Sequence, residues 1–298
     1  MSPTQHDRGT ICLEDAQVLS HSHVDGDQHI LRLQSPRCAQ RATAGTFVHL
    51  RCSDDLPMRR PLSIMRSEPS AGWIEVLYKG VGIGSRLLAR AQPGQAISVL
   101  GPIGKGFGVD PARPRVLAIG GGVGIPPMVF LVESLLSAQA GAPAWKPLVL
   151  MGSEIPFPFR ARPSTILVPG LPEEAIACMP LLDGWGVPSR LATLAGYPGC
   201  FDGYVTDLAR TWLETLEPGQ LNEVEIYACG PTPMLAATAR LAREFGLPCQ
   251  VALEEFMACA VGGCAGCAVA VTTPTGTAMK RVCVDGPVFD AATVFPPT

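Results

Sequence analysis

Along the first hundred residues, hydrophobic and polar positions alternate over short stretches cut by Gly, Pro and Asp. Six of these have strand length and β-prone composition: Ile11–Leu19, His29–Gln34, Thr46–Cys52, Pro61–Arg66, Trp73–Tyr78 and Ala96–Leu100. Strands so short and so evenly punctuated predict a small closed barrel, interrupted by one helical stretch at Gly84–Ala91. After Gly101-Pro102-Ile103-Gly104-Lys105-Gly106-Phe107 the period changes. Arg115–Ile119 is an apolar run that leads through Gly120-Gly121-Gly122-Val123-Gly124-Ile125-Pro126-Pro127 into a helical pattern reaching about Ala138. Strands at Pro147–Met151, Thr165–Val168, Arg190–Leu194 and Val224–Ala228 then mix with helices at Asp207–Thr215 and Pro233–Phe245. Such mixing predicts a parallel α/β sheet. The expected architecture is a β-barrel domain over 1–101, an α/β parallel-sheet domain over 102–247 and a small cysteine-rich segment over 248–298.

Composition narrows the class. The 298 residues suffice for two domains with an appendage, and 47% are hydrophobic. Charged residues make up 16%, below the roughly 25% of ordinary soluble domains, and the net charge is −3. That balance gives no electrostatic reason to expect nucleic acid or an anionic membrane surface. Eleven cysteines in a long chain, odd in number and without a charged-then-apolar leader, fit a reducing cytoplasm better than a disulfide framework. The uncharged run Val116–Val132 has glycines and prolines at its centre and falls short of the ~20 residues of a membrane span, so no transmembrane segment is expected.

The densest chemistry lies near the C-terminus. Cys259, Cys264 and Cys267 follow a C-x4-C-x2-C pattern, with Cys283 beyond, and this is the plant-type 2Fe–2S ligation spacing. Gly262, Gly263 and Gly266 let the backbone curl and present N–H groups to sulfur. A zinc knuckle and inert buried thiols are the alternatives; zinc ribbons normally pair one C-x2-C with a second, and this stretch has only one. In the first third, Arg60-Pro61-Leu62-Ser63 and the turn Tyr78-Lys79-Gly80-Val81-Gly82-Ile83-Gly84-Ser85, which opens a helix, are weak signals singly. Together they suit an anion held by an arginine fork and a helix N-terminus. The strand–turn–helix at Gly120–Pro127 has the mechanics of a phosphate cradle without the Rossmann spacing. A second such turn is Cys229-Gly230-Pro231. The five histidines lie in the first fifty residues without ligand spacing, with His21 and His23 expected at the surface, and no catalytic residue is assigned. Acidic Asn222–Glu225 and Leu253–Glu255 read as solvated faces.

These motifs, in this order, resemble the ferredoxin–NAD(P) reductase family. The resemblance implies that Arg60, Pro61, Leu62, Ser63, Tyr78, Lys79, Gly84 and Ser85 hold FAD, with Arg60 on the pyrophosphate and Ser63 near the reactive ring edge. Gly120, Gly121, Gly122 and Gly124 then hold the NAD(H) pyrophosphate, and Cys229, Gly230 and Pro231 border the nicotinamide. The family's aromatic after the arginine is Pro61 here. Glu254–Cys267 with Lys280–Phe289 closely resembles the electron-transfer subunits of NAD-dependent dihydroorotate dehydrogenase. That likeness implies FAD, one 2Fe–2S cluster and a partner catalytic subunit carrying FMN, in a hetero-oligomer of pyrimidine synthesis. The chain shows no sign of an FMN barrel of its own. Ser153–Tyr197 departs most from the pattern; Arg160 and Arg162 there suit NADP(H), Glu154 suits NAD(H), and the family likeness favours the latter. A reductase for another acceptor, hydrogenase-type or otherwise, and a non-enzymatic zinc-bearing interaction protein are the competing readings.

Overall fold

A computed structural model describes residues 11–138 and 144–297. The alternating first third forms β1 (Cys12–Val24), β2 (Gln28–Gln34), the one-turn helix α1 (Pro36–Ala39), β3 (Phe47–Leu50), β4 (Arg60–Glu68), β5 (Trp73–Lys79), the short helix α2 (Ile83–Leu88) and β6 (Ala96–Ile103). These strands close into an antiparallel barrel in the order β1-β2-β5-β4-β3-β6. Leu31, Leu33, Val48, Leu50, Ile64, Ile74, Val76 and Val99 are buried, and this filling is what the alternation specifies. β1 runs past the expected Leu19 to Val24, because Ser20–Val24 pairs with Gln28–Arg32 across a three-residue turn.

The second unit starts at β7 (Arg115–Gly121). A 3-10 turn at Gly122–Gly124 leads into α3 (Ile125–Ser137) and β8 (Leu148–Gly152). A two-residue ladder follows, β9 (Arg162–Pro163) against β10 (Ala177–Cys178), then α4 (Pro180–Gly184), β11 (Ser189–Thr193), β12 (Phe201–Asp202), α5 (Val205–Leu213), α6 (Pro218–Leu221), β13 (Val224–Cys229), α7 (Thr232–Phe245) and β14 (Cys249–Ala252). The last residues form the hairpin β15 (Ala268–Thr273) and β16 (Gly276–Arg281), α8 (Val282–Asp285), β17 (Val288–Asp290) and α9 (Ala291–Val294). The large sheet runs β12-β11-β8-β7-β13-β14-β17, parallel except where β17 lies antiparallel on β14. α3 is apolar nearly all round because it is a wedge: its Met128, Val129 and Val132 share one buried core with Ile64 and Met65 of the barrel. Arg66 of β4 and Glu133 of α3 seal that seam with a 2.6 Å ion pair.

Two sequence expectations fail locally. Thr165–Val168 is no strand: the Thr165 N–H and hydroxyl and the Ser164 hydroxyl all bond the Asp183 carboxylate, which curls the chain and leaves Leu167 exposed. Glu225 is not a solvated acid. It is buried on β13, where its carboxylate accepts from Gln250 Nε2 at 2.8 Å.

Candidate functional site

β4 opens with Arg60, Pro61, Leu62 and Ser63, all half-buried, paired so that Ser63 faces Phe47 of β3. Arg60 Nη1 donates to the carbonyls of Met58 at 2.9 Å and Arg59 at 3.1 Å. These bonds lay the guanidinium over the first turn of α2, where a Cβ on Gly84 would stand 2.7 Å from Nε. Only glycine leaves that space. Ser85 Oγ accepts from the Gly82 N–H at 3.0 Å and so closes the turn. A guanidinium over free helical N–H groups concentrates positive potential where an anion would sit. Beside α2 a cavity of about 580 Å³ opens, lined by Arg51, Cys52, Asp54, Leu87, Arg90 and Ser98 among others, none of them singled out by sequence. Tyr78 and the half-buried Lys79 end β5. The Tyr78 ring is buried and stacked on His29, and its hydroxyl bonds His21 Nε2 at 2.9 Å.

The two glycine turns expected for a nucleotide meet. β7 and β13 are parallel neighbours, with Gly120 opposite Cys229, so both turns lie at the carboxyl ends of adjacent strands. That end of a parallel sheet is where ligands bind. A Cβ on Gly124 would lie 2.2 Å from the Cys229 carbonyl oxygen, and one on Gly121 2.5 Å from Met234 Sδ. Gly122 adopts φ +54°, turning the chain into α3. Gly230 and Pro231 line a cavity of about 290 Å³ with Thr232, Leu253, Glu254 and Glu255. Burial, then the neighbouring Glu254 carboxylate, hold the Cys229 thiol well above its ordinary value, so it is a neutral thiol rather than a nucleophile.

The cysteine loop is built around its sulfurs. Cys259 Sγ accepts from the Cys264 N–H at 3.4 Å, Cys264 Sγ from Gly266 at 3.4 Å and Cys267 Sγ from Cys283 at 3.5 Å. The Cys267 and Cys283 sulfurs are 3.4 Å apart. Ala260 and Ala265 hold φ near +55°, beside Gly262 at +90°. Left-handed alanines cost about 1–2 kcal/mol each, and here they turn N–H groups toward sulfur. Burial opposes the Cys259 thiolate, but N–H groups of Cys264, Val261 and Gly263 overcome it and bring the thiol down to about 6. The donor set fits an iron–sulfur cluster: four thiols, one already easily ionised, with backbone N–H bonds on sulfur and side chains of Gly, Ala and Val between them. Sequence reasoning found the cysteines but not the two alanines, whose conformation no residue preference signals.

The buried half of this loop is part of the barrel's own packing. Cys267, Cys283, Val282, Met257 and Ala260 form one apolar cluster with Phe47 of β3 and Ile103 of β6. The Lys105 N–H donates to the Gly286 carbonyl at 2.6 Å, fastening the loop to the chain leaving β6. Phe47, the register partner of Ser63, therefore shares one buried cluster with Cys267 and Cys283.

A barrel with an arginine–glycine anion cradle, a parallel sheet with glycine turns and a thiol loop packed on the barrel define a flavin- and iron–sulfur-binding oxidoreductase of the ferredoxin reductase fold. Residues 15–107 match the oxidoreductase FAD-binding domain, and residues 254–295 match the iron–sulfur cluster binding domain of dihydroorotate dehydrogenase B. The dihydroorotate dehydrogenase B (NAD(+)) electron transfer subunit of Geobacillus thermodenitrificans is 33% identical over 94% of this chain and 98% of its own length. That of Desulforamulus reducens is 29% identical over 92% and 95%. The chain belongs to this family of electron transfer subunits. Among solved structures, an NADH-dependent reduced ferredoxin-NADP oxidoreductase superposes with a TM-score of 0.73 at 25% identity, covering 94% of this chain and 90% of the other. The ferredoxin reductase of carbazole 1,9a-dioxygenase shares the fold alone, at TM-score 0.60 and 20% identity over 80% and 67%.

Proposed function

We propose that this chain carries reducing equivalents between NAD(H) and a separate FMN-bearing catalytic subunit that interconverts dihydroorotate and orotate in pyrimidine synthesis. Bound FAD supplies a carrier for both paired and single electrons, and a 2Fe–2S cluster supplies a one-electron carrier. The chain's residues position these groups. Arg60, Gly84 and Ser85 form the pyrophosphate cradle, with the cavity beside α2 as room for the adenosine end; Pro61, Leu62, Ser63, Tyr78 and Lys79 shape the rest of the pocket. Gly120, Gly121, Gly122 and Gly124 seat the NAD(H) phosphates, while Cys229, Gly230 and Pro231 wall the nicotinamide end with a neutral thiol. Cys259, Cys264, Cys267 and Cys283 ligate the cluster. The working units are residues 1–101, 102–247 and 248–298.

The observation that carries this reading is the position of Phe47, which pairs with Ser63 of the proposed flavin strand and belongs to the same buried apolar cluster as Cys267 and Cys283. No helix among the described residues is long and apolar enough to cross a membrane. None of the cysteines there is paired in a disulfide, as suits a cytoplasmic protein. The likeness to the NADH-dependent reduced ferredoxin-NADP oxidoreductase favours a second reading, an NAD(P)H-dependent reductase component serving another acceptor, hydrogenase-type or another oxidoreductase. Untagged partner protein recovered with this chain under anaerobic conditions, and identified by mass, decides between the two. The expected preparation is coloured, with FAD and two irons per chain; a colourless, zinc-loaded one overturns both.

A further inference from the structure

The histidines lack ligand spacing along the chain, yet strand pairing gathers three of them. Antiparallel pairing sets His23 of β1 opposite His29 of β2, and His29 opposite Tyr78 of β5. His21 lies on the same face as His23, two residues away. Ring centroids are 4.9 Å apart for His23–His29 and 5.4 Å for His21–His29.

The three imidazoles are not equivalent. His21 Nδ1 is 2.9 Å from the Ala91 carbonyl, which only accepts, so Nδ1 carries the proton and Nε2 accepts from the Tyr78 hydroxyl. Both His21 nitrogens are used; it positions Tyr78, which stacks flat on His29. His29 is different. Its side chain is only 8% exposed, and its Nε2 is buried with no hydrogen-bond partner. Facing that bare nitrogen is Asp27 Oδ1 at 3.6 Å. Donor atoms of His23, Asp27 and His29 all lie within 4.8 Å of one another.

The turn holding Asp27 is fixed in place. Its carbonyl accepts from the Gly80 N–H at 2.9 Å, and its carboxylate lies over Gly80, where a Cβ would stand 2.7 Å from Oδ2. Gln28 Nε2 ties the same turn to the Asp25 and Pro156 carbonyls, each at 2.8 Å.

We propose that the β1–β2 hairpin is a metal site distinct from the cysteine loop, in which His23, Asp27 and His29 bind a zinc ion. Two imidazoles and a carboxylate are a normal three-donor zinc set, with the fourth tetrahedral position left to water. Bonds of ~2.0–2.1 Å hold tetrahedral donors about 3.4 Å apart. The His29–Asp27 pair already stands at that spacing, and exposed His23 closes the set by side-chain rotation. The cysteine loop packs on β3 and β6, away from β2 and β5 in the barrel order, so the two sites share no donor.

The test uses untagged holoprotein with FAD and cluster in place, dialysed against excess zinc and assayed for zinc, iron and flavin. One zinc per chain is expected with iron and FAD unchanged. His23→Gln and Asp27→Asn, both at exposed positions, each weaken zinc binding by at least ~10-fold while iron and FAD stay at wild-type levels. The proposal fails if the wild type takes up no zinc, if either variant binds as tightly as wild type, or if zinc enters only as iron leaves, which places it on the thiolates.

Discussion

At the scale of single residues, the contact between Arg60 and Gly84 is the sharpest local constraint in the proposed flavin cradle. A methyl at Gly84 would overlap the guanidinium at 2.7 Å, displacing the cation from the helix N-terminus. Gly84→Ala and Arg60→Ala are therefore expected to lower FAD affinity by about 10-fold or more, since a charge-assisted contact is worth ~1.5–3 kcal/mol. Flavin content after gel filtration reads this out, and undiminished FAD in Arg60→Ala rejects the pyrophosphate role. His49 gives a pH prediction. Fully buried on β3, it is pushed down to about 4 by burial and then by the Arg59 charge, from an ordinary 6.5. Between those values the unfolded chain binds more protons than the folded one, so stability is full above about pH 6.5 and falls as pH drops toward 4. His49→Leu should flatten that fall, measured as Tm between pH 7 and 5; parallel curves reject the assignment. Arg60 and the four cysteines stood out in the sequence because the chemistry proposed for them resides in residue type and spacing. The His23–His29 pairing was not, because strand register joins residues that no local pattern links.

At the scale of elements, long periodic runs were readable and short ones were not. β7, α3, β13 and α7 lie within a few residues of their expected bounds, because an apolar strand followed by a glycine turn and a long helix admits few alternatives. β14 and β17 have four and three residues and gain strand character only by pairing with the sheet. Thr165–Val168 failed for the opposite reason: a side chain nineteen residues or fewer away, Asp183, outbid strand pairing for its polar groups. The meeting of the two glycine turns proposed to seat the nucleotide is itself testable. In Gly124→Ala the new methyl would press on the Cys229 carbonyl at 2.2 Å, backbone against which nothing can rotate away. The expected cost is about 1–3 kcal/mol of stability, with a raised KM for NADH and unchanged FAD content. An unaltered KM would mean that the two turns do not form one nucleotide seat.

At the scale of the whole molecule, the proposed division into three working segments says nothing of how the last one docks, because Phe47 and Ile103 look like ordinary barrel residues until they are grouped with Cys267 and Cys283 in one buried cluster. The loop is half inside and half outside: Cys267 and Cys283 are buried and Cys264 is exposed, and Phe256, Val261 and Met279 of the same C-terminal segment are exposed apolar side chains. Phe256 is 93% exposed and Met279 64%, which folding of this chain alone does not reward. A partner subunit that covers this segment would bury Phe256. Two variants separate the roles. Cys264→Ser should lose the cluster iron and electron delivery to the co-purifying subunit while NADH-driven reduction of a small dye stays largely intact, because the barrel cradle and the nucleotide turns are untouched. Phe256→Ser should keep iron, FAD and dye reduction, yet weaken binding to that subunit by roughly 1–2 kcal/mol, as loss of a buried aromatic anchor does. Binding by Phe256→Ser equal to wild type would move the docking face away from the cysteine loop. Collapse of dye reduction in Cys264→Ser with FAD still bound would mean that the cysteine loop also serves the nucleotide side.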